Sequence, residues 1–238
     1  LILLNKLTIL ICFHVTCLYG EISSNKSYNL FSSLLDEKEW VLDENIEDIT
    51  ISKKALNSKN IFALKVEKKS FIPIHTIQEV LKDINRYDEF LSNSKTVKSL
   101  RLNHSDNWVD AYQYISSNIP FLSDRKYCFR ISSEQINKDD SLSIVHWFLL
   151  DQNECDILGE MYENNAIYLH FGAGLWLAEK QSDGSSIISY IIYIDPGGAI
   201  PTFVIDKANR ISVTTILEDV LTEASRRIKK RGKEWEKK

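Results

Sequence analysis

Residues 186–194 predict a β-strand that is apolar on both of its faces. The run Ser-Ile-Ile-Ser-Tyr-Ile-Ile-Tyr-Ile places isoleucine or tyrosine at odd and even positions alike. An antiparallel sheet with one face in water would instead alternate apolar with polar residues. Either another layer of the protein covers each side of this strand, or one side lines an enclosed space.

Period-two patterns of this kind dominate the chain from residue 95 onward, with short links that contain turn residues such as Ser182-Asp183-Gly184. Consecutive strands joined by short links run antiparallel. Gly172 and Gly174 interrupt one strand and indicate a sheet that bends sharply. The predicted strands cover residues 95–102, 107–116, 125–134, 142–150, 166–180 and 186–194.

The remaining segments predict helices and short strands around this sheet. Residues 30–39 favour a short amphipathic helix, residues 40–53 two short strands, residues 61–65 another strand, and Pro73 the start of a helix. The chain closes with one long helix, whose apolar stripe has helical spacing. That stripe consists of Val213, Ile216, Leu217, Val220, Leu221, Ala224 and Ile228. The fold class is therefore α+β, a curved antiparallel sheet around a long C-terminal helix.

Residues 1–20 predict a segment that is separate from the fold. The apolar run at 7–18 has the length of a signal-peptide core, Lys6 precedes it, and Gly20 offers a small residue near a cleavage point. A membrane anchor and a buried first helix are the alternatives, although the run is short for a span of about 20 residues. We expect an exported protein, secreted or periplasmic, with anchoring by residues 1–20 as the alternative.

The composition fits a globular protein and gives no sign of nucleic-acid binding. Apolar residues make up 44%, charged residues 26%, and the formal net charge is −4. A nucleic-acid surface needs Lys and Arg concentrated on one face. Such residues concentrate only at 226–238, where they predict a solvated helix end. Contact of this basic tail with an anionic membrane surface is the alternative.

The cysteines and histidines indicate neither a metal nor a cofactor. Cys12 and Cys17 lie in the leader, and no Cys/His cluster has zinc spacing. Cys128 in a strand and Cys155 in a loop are poorly placed for a disulfide, although their pairing stays open. The sequence also lacks G-x-S-x-G, P-loop, G-x-G-x-x-G and H-E-x-x-H motifs. We expect no catalytic residues.

Three segments carry a resemblance to a known family. They are Asp195-Pro196-Gly197-Gly198-Ala199-Ile200-Pro201, the run from Ile119 to Tyr127, and Gly174-Leu175-Trp176-Leu177. In this order, and before a long last helix, they resemble the START lipid-transfer domain of the helix-grip superfamily over residues 35–230. The family's Arg-Asp pair is Arg125-Lys126 here, so a base replaces an acid. A second arginine of the family is matched by Arg130, which follows Arg125 by one residue fewer than is usual in the family.

The residue patterns and the resemblance together imply four regions and one function. Residues 1–20 form the leader, 21–34 a loose lead-in with the start of the first helix, 35–230 the START-like domain, and 231–238 a basic tail. The domain would bind or transfer one lipid (a sterol, phospholipid or fatty acid) in an apolar tunnel. A cyclase or aromatase-like pocket enzyme and a ligand-gated sensor are the alternatives. The resemblance also implies a hinge at the tunnel mouth, formed by Pro120, Phe121, Asp195, Pro196, Gly197, Gly198 and Pro201.

A lipid site needs an apolar lining with few polar groups to orient one end of the ligand. Burial of apolar surface stabilises the bound ligand by about 25 cal/mol per Å². The strand and helix patterns predict the lining as Tyr112, Tyr114, Trp147, Leu149, Trp176, Tyr190, Phe203, Ile216, Leu217 and Val220. The predicted polar orienters are Arg130, Glu160 and His170.

Overall fold

The computed structural model describes residues 25–56, 61–93, 95–117, 122–135, 142–155, 165–198 and 200–235. The leader, Pro120, Phe121 and Glu160 lie outside these ranges. The helices are α1 (Asn25–Leu35), α2 (Ile74–Lys82), α3 (Tyr87–Phe90) and α4 (Thr202–Trp235), with 3-10 turns at Ile84–Arg86 and Gln152–Cys155. No helix in the described part is both long and apolar enough to cross a membrane.

The described residues form one sheet of ten strands. These are β1 (Val41–Ile46), β2 (Ile49–Ala55), β3 (Phe62–Ser70), β4 (Val97–His104), β5 (Trp108–Ile115), β6 (Arg125–Gln135), β7 (Leu142–Leu149), β8 (Ile167–Tyr168), β9 (Gly172–Lys180) and β10 (Ser186–Ile194). Their order is β1-β2-β3-β10-β9-β7-β6-β5-β4, with β8 attached to β6. The curved antiparallel sheet and the long last helix confirm the predicted fold class.

Two layers cover the sheet, which explains why its central strands are apolar on both faces. On the concave face, α2 and α4 pack against the strands, and Val80 and Leu217 are fully buried there. On the convex face, α1 buries Leu30, Phe31 and Leu34. The structure therefore places α1, which begins within the predicted lead-in, inside the fold.

A buried lysine fixes the end of α1. The Lys54 ammonium donates hydrogen bonds to the carbonyl oxygens of Ser33 and Asp36, each at 2.9 Å. These carbonyls belong to the last turn of α1 and to the residue after it. A cation is favourable there because the C-terminal end of a helix carries the negative end of the helix dipole. The C-terminal end of α1 is thus held to β2 by charge, in addition to the apolar packing of the helix on the sheet.

The prediction of one long strand at 166–180 is wrong. The structure divides this segment into β8 and β9, and β8 pairs in parallel with the start of β6. Amide hydrogen bonds run from Ile167 to the Asp124 carbonyl at 2.8 Å and from Leu169 to the Lys126 carbonyl at 2.9 Å. The chain therefore turns before Gly172 and enters the antiparallel ladder of β9 only there.

The expectation that Cys128 and Cys155 are poorly placed for a disulfide is also wrong. The structure pairs them, with their Cα atoms 6.1 Å apart, a separation that suits a disulfide. The 3-10 turn at Gln152–Cys155 directs Cys155 back toward β6, which a sequence pattern does not show. The bridge fastens the segment after β7 to the convex face.

Candidate functional site

A cavity of about 390 Å³ lies between the concave face of the sheet and α4. Strand residues form most of its wall, and α4 supplies the opposite side. The apolar lining includes Leu64, Ile115, Phe129, Ile131, Trp147, Leu169, Trp176, Tyr190, Ile192, Ile194, Val213, Ile216 and Val220. This wall can hold an apolar molecule by removing its surface from water.

Three aromatic side chains from neighbouring strands form the centre of this wall. Trp176 and Tyr190 stack with ring centroids 4.2 Å apart and an interplanar angle of 14°. They are direct partners across β9 and β10. Trp147 lies on the next strand, opposite Gly174. Stacked rings are stiff, so they give the cavity a defined surface.

Neutral polar groups occupy another part of the lining. The Gln113 amide donates to the Ser99 hydroxyl at 2.9 Å, and its carbonyl oxygen accepts a hydrogen bond from the Tyr127 hydroxyl. Burial raises the pKa of Tyr127 well above its ordinary value, so this phenol is neutral at physiological pH. Further polar lining residues are Asn93, Thr96, Asn209 and Ser212. These groups can therefore form a few hydrogen bonds with a ligand, and none of them is charged.

Arg125 is the one charged residue among the described residues that line the cavity. Its side chain reaches the segment between β10 and α4, where Nε donates to the Pro196 carbonyl at 3.2 Å and Nη2 to the Gly197 carbonyl at 3.3 Å. Nη1 donates to the Ser123 carbonyl. Arg125 therefore ties two loops together at one end of the cavity.

The glycines of this segment have conformations that other residues rarely adopt. Gly197 has φ of 62° and Gly198 has φ of 71°, in the left-handed region that favours glycine. The Gly197 amide donates to Asp195 Oδ1 at 3.1 Å. A Cβ atom at either glycine would lie 3.4 Å from Ile167. Residues 195–198 thus form a tight turn packed on β8 and Arg125, and Pro201 follows as an exposed residue before α4.

Five of the predicted lining residues lie at the cavity: Trp147, Trp176, Tyr190, Ile216 and Val220. Leu149 and Leu217 belong to the core on the same side of the sheet but are not part of the wall. Phe203 is 74% exposed on α4. His170 is also exposed, with its ring 5.0 Å from that of Tyr168.

The prediction that Tyr112, Tyr114 and Arg130 face the cavity is corrected by the structure. Tyr112 and Tyr114 belong to the cluster on the convex face. Arg130 forms two hydrogen bonds to Asp110, at 2.6 and 2.8 Å, and its guanidinium lies 4.3 Å from the Trp108 ring centroid. Because side chains alternate along a strand, their neighbours Gln113, Ile115, Tyr127, Phe129 and Ile131 take the cavity positions instead.

No cluster of three or more His, Cys, Asp or Glu side chains suited to a metal ion occurs within the described residues. The sequence matches no protein-family model, and no curated protein is similar enough to count as a relative.

Solved structures are similar in fold to this chain. Human STARD10 is 16% identical over 90% of this chain and 84% of its own, with a TM-score of 0.69. A STAR-related lipid transfer protein fragment from Xanthomonas axonopodis is 16% identical over 79% of this chain and 99% of its own, with a TM-score of 0.65. Human StAR-related lipid transfer protein 5 is 11% identical over 93% and 98%, with a TM-score of 0.63. The chain therefore has the START helix-grip fold, in which a curved sheet and a long last helix enclose the candidate site.

Proposed function

We propose that this protein binds a single apolar, lipid-like ligand in the cavity and carries it without chemical change. The observation that carries the proposal is the lining, in which stacked aromatic and branched aliphatic side chains surround a space of about 390 Å³. Burial of hydrocarbon against such a wall stabilises the bound ligand by about 0.8 kcal/mol for each methylene group. The names of two similar structures also describe lipid transfer proteins.

The size of the cavity favours a compact lipid. Its volume of about 390 Å³ lies near the lower end of the range of roughly 300–1,000 Å³ for small-molecule sites. A single acyl chain or one fused-ring lipid fits this space better than a lipid with two long acyl chains. The neutral polar groups around Gln113 would orient one end of such a molecule.

Native mass spectrometry of the protein, purified without detergent, tests this proposal. We expect one bound lipid per chain, identified by organic extraction, or saturable binding of an added fatty acid or sterol. A protein that is empty and also fails to bind fatty acids, sterols and phospholipids would overturn the proposal.

A pair of helix variants separates cavity binding from adhesion to the surface. Ile216 lines the cavity from α4, and Ile216→Trp should fill part of it and weaken lipid binding by about tenfold or more. Ile211 lies on the same helix but is 60% exposed, so Ile211→Trp is the matched control and should bind normally. Equal binding by the two variants would contradict a site inside the cavity.

We also propose that the protein is exported and that residues 1–20 are removed. The disulfide between Cys128 and Cys155 supports this proposal, because disulfides persist mainly in oxidising compartments. The N-terminus of the protein released by a secreting host should lie near Glu21. Retention of the intact leader on protein that stays in the membrane would support the anchor instead.

A further inference from the structure

Arg125 is a buried cation whose hydrogen bonds go to neutral acceptors. Its relative exposure is 7%, and it donates to the carbonyl oxygens of Ser123, Pro196 and Gly197. It forms no ion pair with any described residue. The neighbouring Asp124 carboxylate is bound instead by the Tyr114 hydroxyl and the Ser117 amide, the latter at 2.7 Å. A buried charge normally has an opposite charge beside it.

The guanidinium also has donors left over. It carries five N–H groups, and the three hydrogen bonds use Nε once, Nη1 once and Nη2 once. Nη1 and Nη2 therefore each retain one N–H that no described residue accepts. Paired guanidinium N–H groups match the two oxygens of a carboxylate or phosphate.

The position of Arg125 gives these donors a place in ligand binding. It lines the cavity beside the turn at 195–198, which follows β10, whereas Tyr190 of the aromatic wall lies four residues before the end of β10. A single-chain amphiphile could place its hydrocarbon against Trp176 and its head beside Arg125. The neutral polar groups of the lining would not repel an anionic head.

From this geometry we infer that Arg125 receives the anionic head of a single-chain lipid, a carboxylate or a phosphate monoester, at the end of the cavity. The inference rests on the proposed function and narrows its ligand class. An oxyanion there supplies a countercharge in direct contact with the guanidinium, whereas the Asp124 carboxylate binds Tyr114 and Ser117.

The test compares laurate, lauryl phosphate and lauryl alcohol, which share one hydrocarbon chain, by titration calorimetry on the full chain. We expect at least one of the two anions to bind about 10- to 100-fold more tightly than the alcohol, as a charge-assisted hydrogen bond would give. Laurate against lauryl phosphate then distinguishes a carboxylate head from a phosphate head. Arg125→Gln should lower binding of the preferred anion to the level of the alcohol while alcohol binding stays the same.

Lys126→Gln is the matched control, because it removes one positive charge from the next residue of β6, on the opposite face. It should keep the preference for the anion. Arg125→Lys keeps the charge without the paired donors and should retain part of the preference, which secures the test if Arg125→Gln fails to fold.

Several results would overturn the inference. Equal binding of all three probes by the unaltered protein would do so while leaving the proposed lipid function intact. Loss of all three probes in Arg125→Gln would show that Arg125 only holds the turn. Failure of the unaltered protein to bind any of the probes would remove this inference, and failure with all lipids would remove the proposed function as well.

Discussion

The indole ring of Trp147 occupies the space that a side chain at position 174 would need. A Cβ atom at Gly174 would lie 2.5 Å from both Nε1 and Cε2 of this ring, and the two residues are partners across β7 and β9. Glycine is therefore required here by the packing of the cavity wall.

Gly174→Ala should destabilise the fold, because the indole ring must move from its place in the wall. We expect a loss of about 1–3 kcal/mol in the free energy of unfolding, as for other overpacked cores, measured by urea denaturation. Gly232→Ala in α4 is the control, since a Cβ atom there meets nothing within 4 Å. It should stabilise the helix by roughly 0.5–1 kcal/mol.

His146 should make stability depend on pH in the mildly acidic range. Burial lowers the pKa of His146 to about 4, whereas in the unfolded chain it is about 6.5. The unfolded chain therefore takes up the proton first as pH falls, and the free energy of unfolding should fall by about 2 kcal/mol between pH 7 and pH 5. In His146→Gln this part of the pH dependence should vanish. Exposed His75 gives the control, since His75→Gln should leave the dependence in place.

The disulfide should contribute substantially to stability. Cys128 and Cys155 are 27 residues apart, and closing a loop of this length restricts the unfolded chain by about 3–4 kcal/mol. Reduction, or the double variant Cys128→Ala/Cys155→Ala, should lower the free energy of unfolding by an amount of this order. Peptide mapping without reductant should recover the two cysteines in one linked fragment, and two free thiols at these positions would contradict the pairing.

A carboxylate on α4 holds the loop that follows α3 against the cavity. Asp219 accepts hydrogen bonds from the amide of Ser92 at 2.7 Å and from its hydroxyl at 2.6 Å. Leu91, Asn93 and Thr96 of this loop line the cavity. Asp219→Ala should therefore speed amide hydrogen exchange around Ser92 by about fivefold or more. Glu218→Ala, on the neighbouring position of the helix, should leave these exchange rates unchanged.

Much of the fold could be predicted because strand and helix periods differ so clearly along this chain. The pattern of β10 required cover on both faces, and α1 and α4 provide it. The apolar character of both strand faces also made the prediction of the site residues partly wrong. Since both faces of β5 are apolar, alternation cannot show whether Tyr112 and Tyr114 or Gln113 and Ile115 face the cavity.

Other features depend on contacts between distant parts of the chain. The strand register places Asp110 opposite Arg130, so the arginine pairs with this carboxylate on the convex face instead of facing the cavity. No local sequence pattern shows this pairing. Arg125 lies in one of the segments that resemble the START family, but its hydrogen-bond partners Pro196 and Gly197 follow it by 71 and 72 residues. The two residues of β8 are too few to give a period at all.

The order of the strands also has a consequence for how the protein is made. β3 pairs with β2 along one edge and with β10 along the other, so residues 62–70 gain their second partner strand only after residues 186–194 have been synthesised. Until then one edge of β3 has no hydrogen-bond partners, and an unpaired strand edge is a hazard for aggregation. Because α4 follows β10 and supplies one wall of the cavity, the cavity can close around a ligand only after α4 has been synthesised.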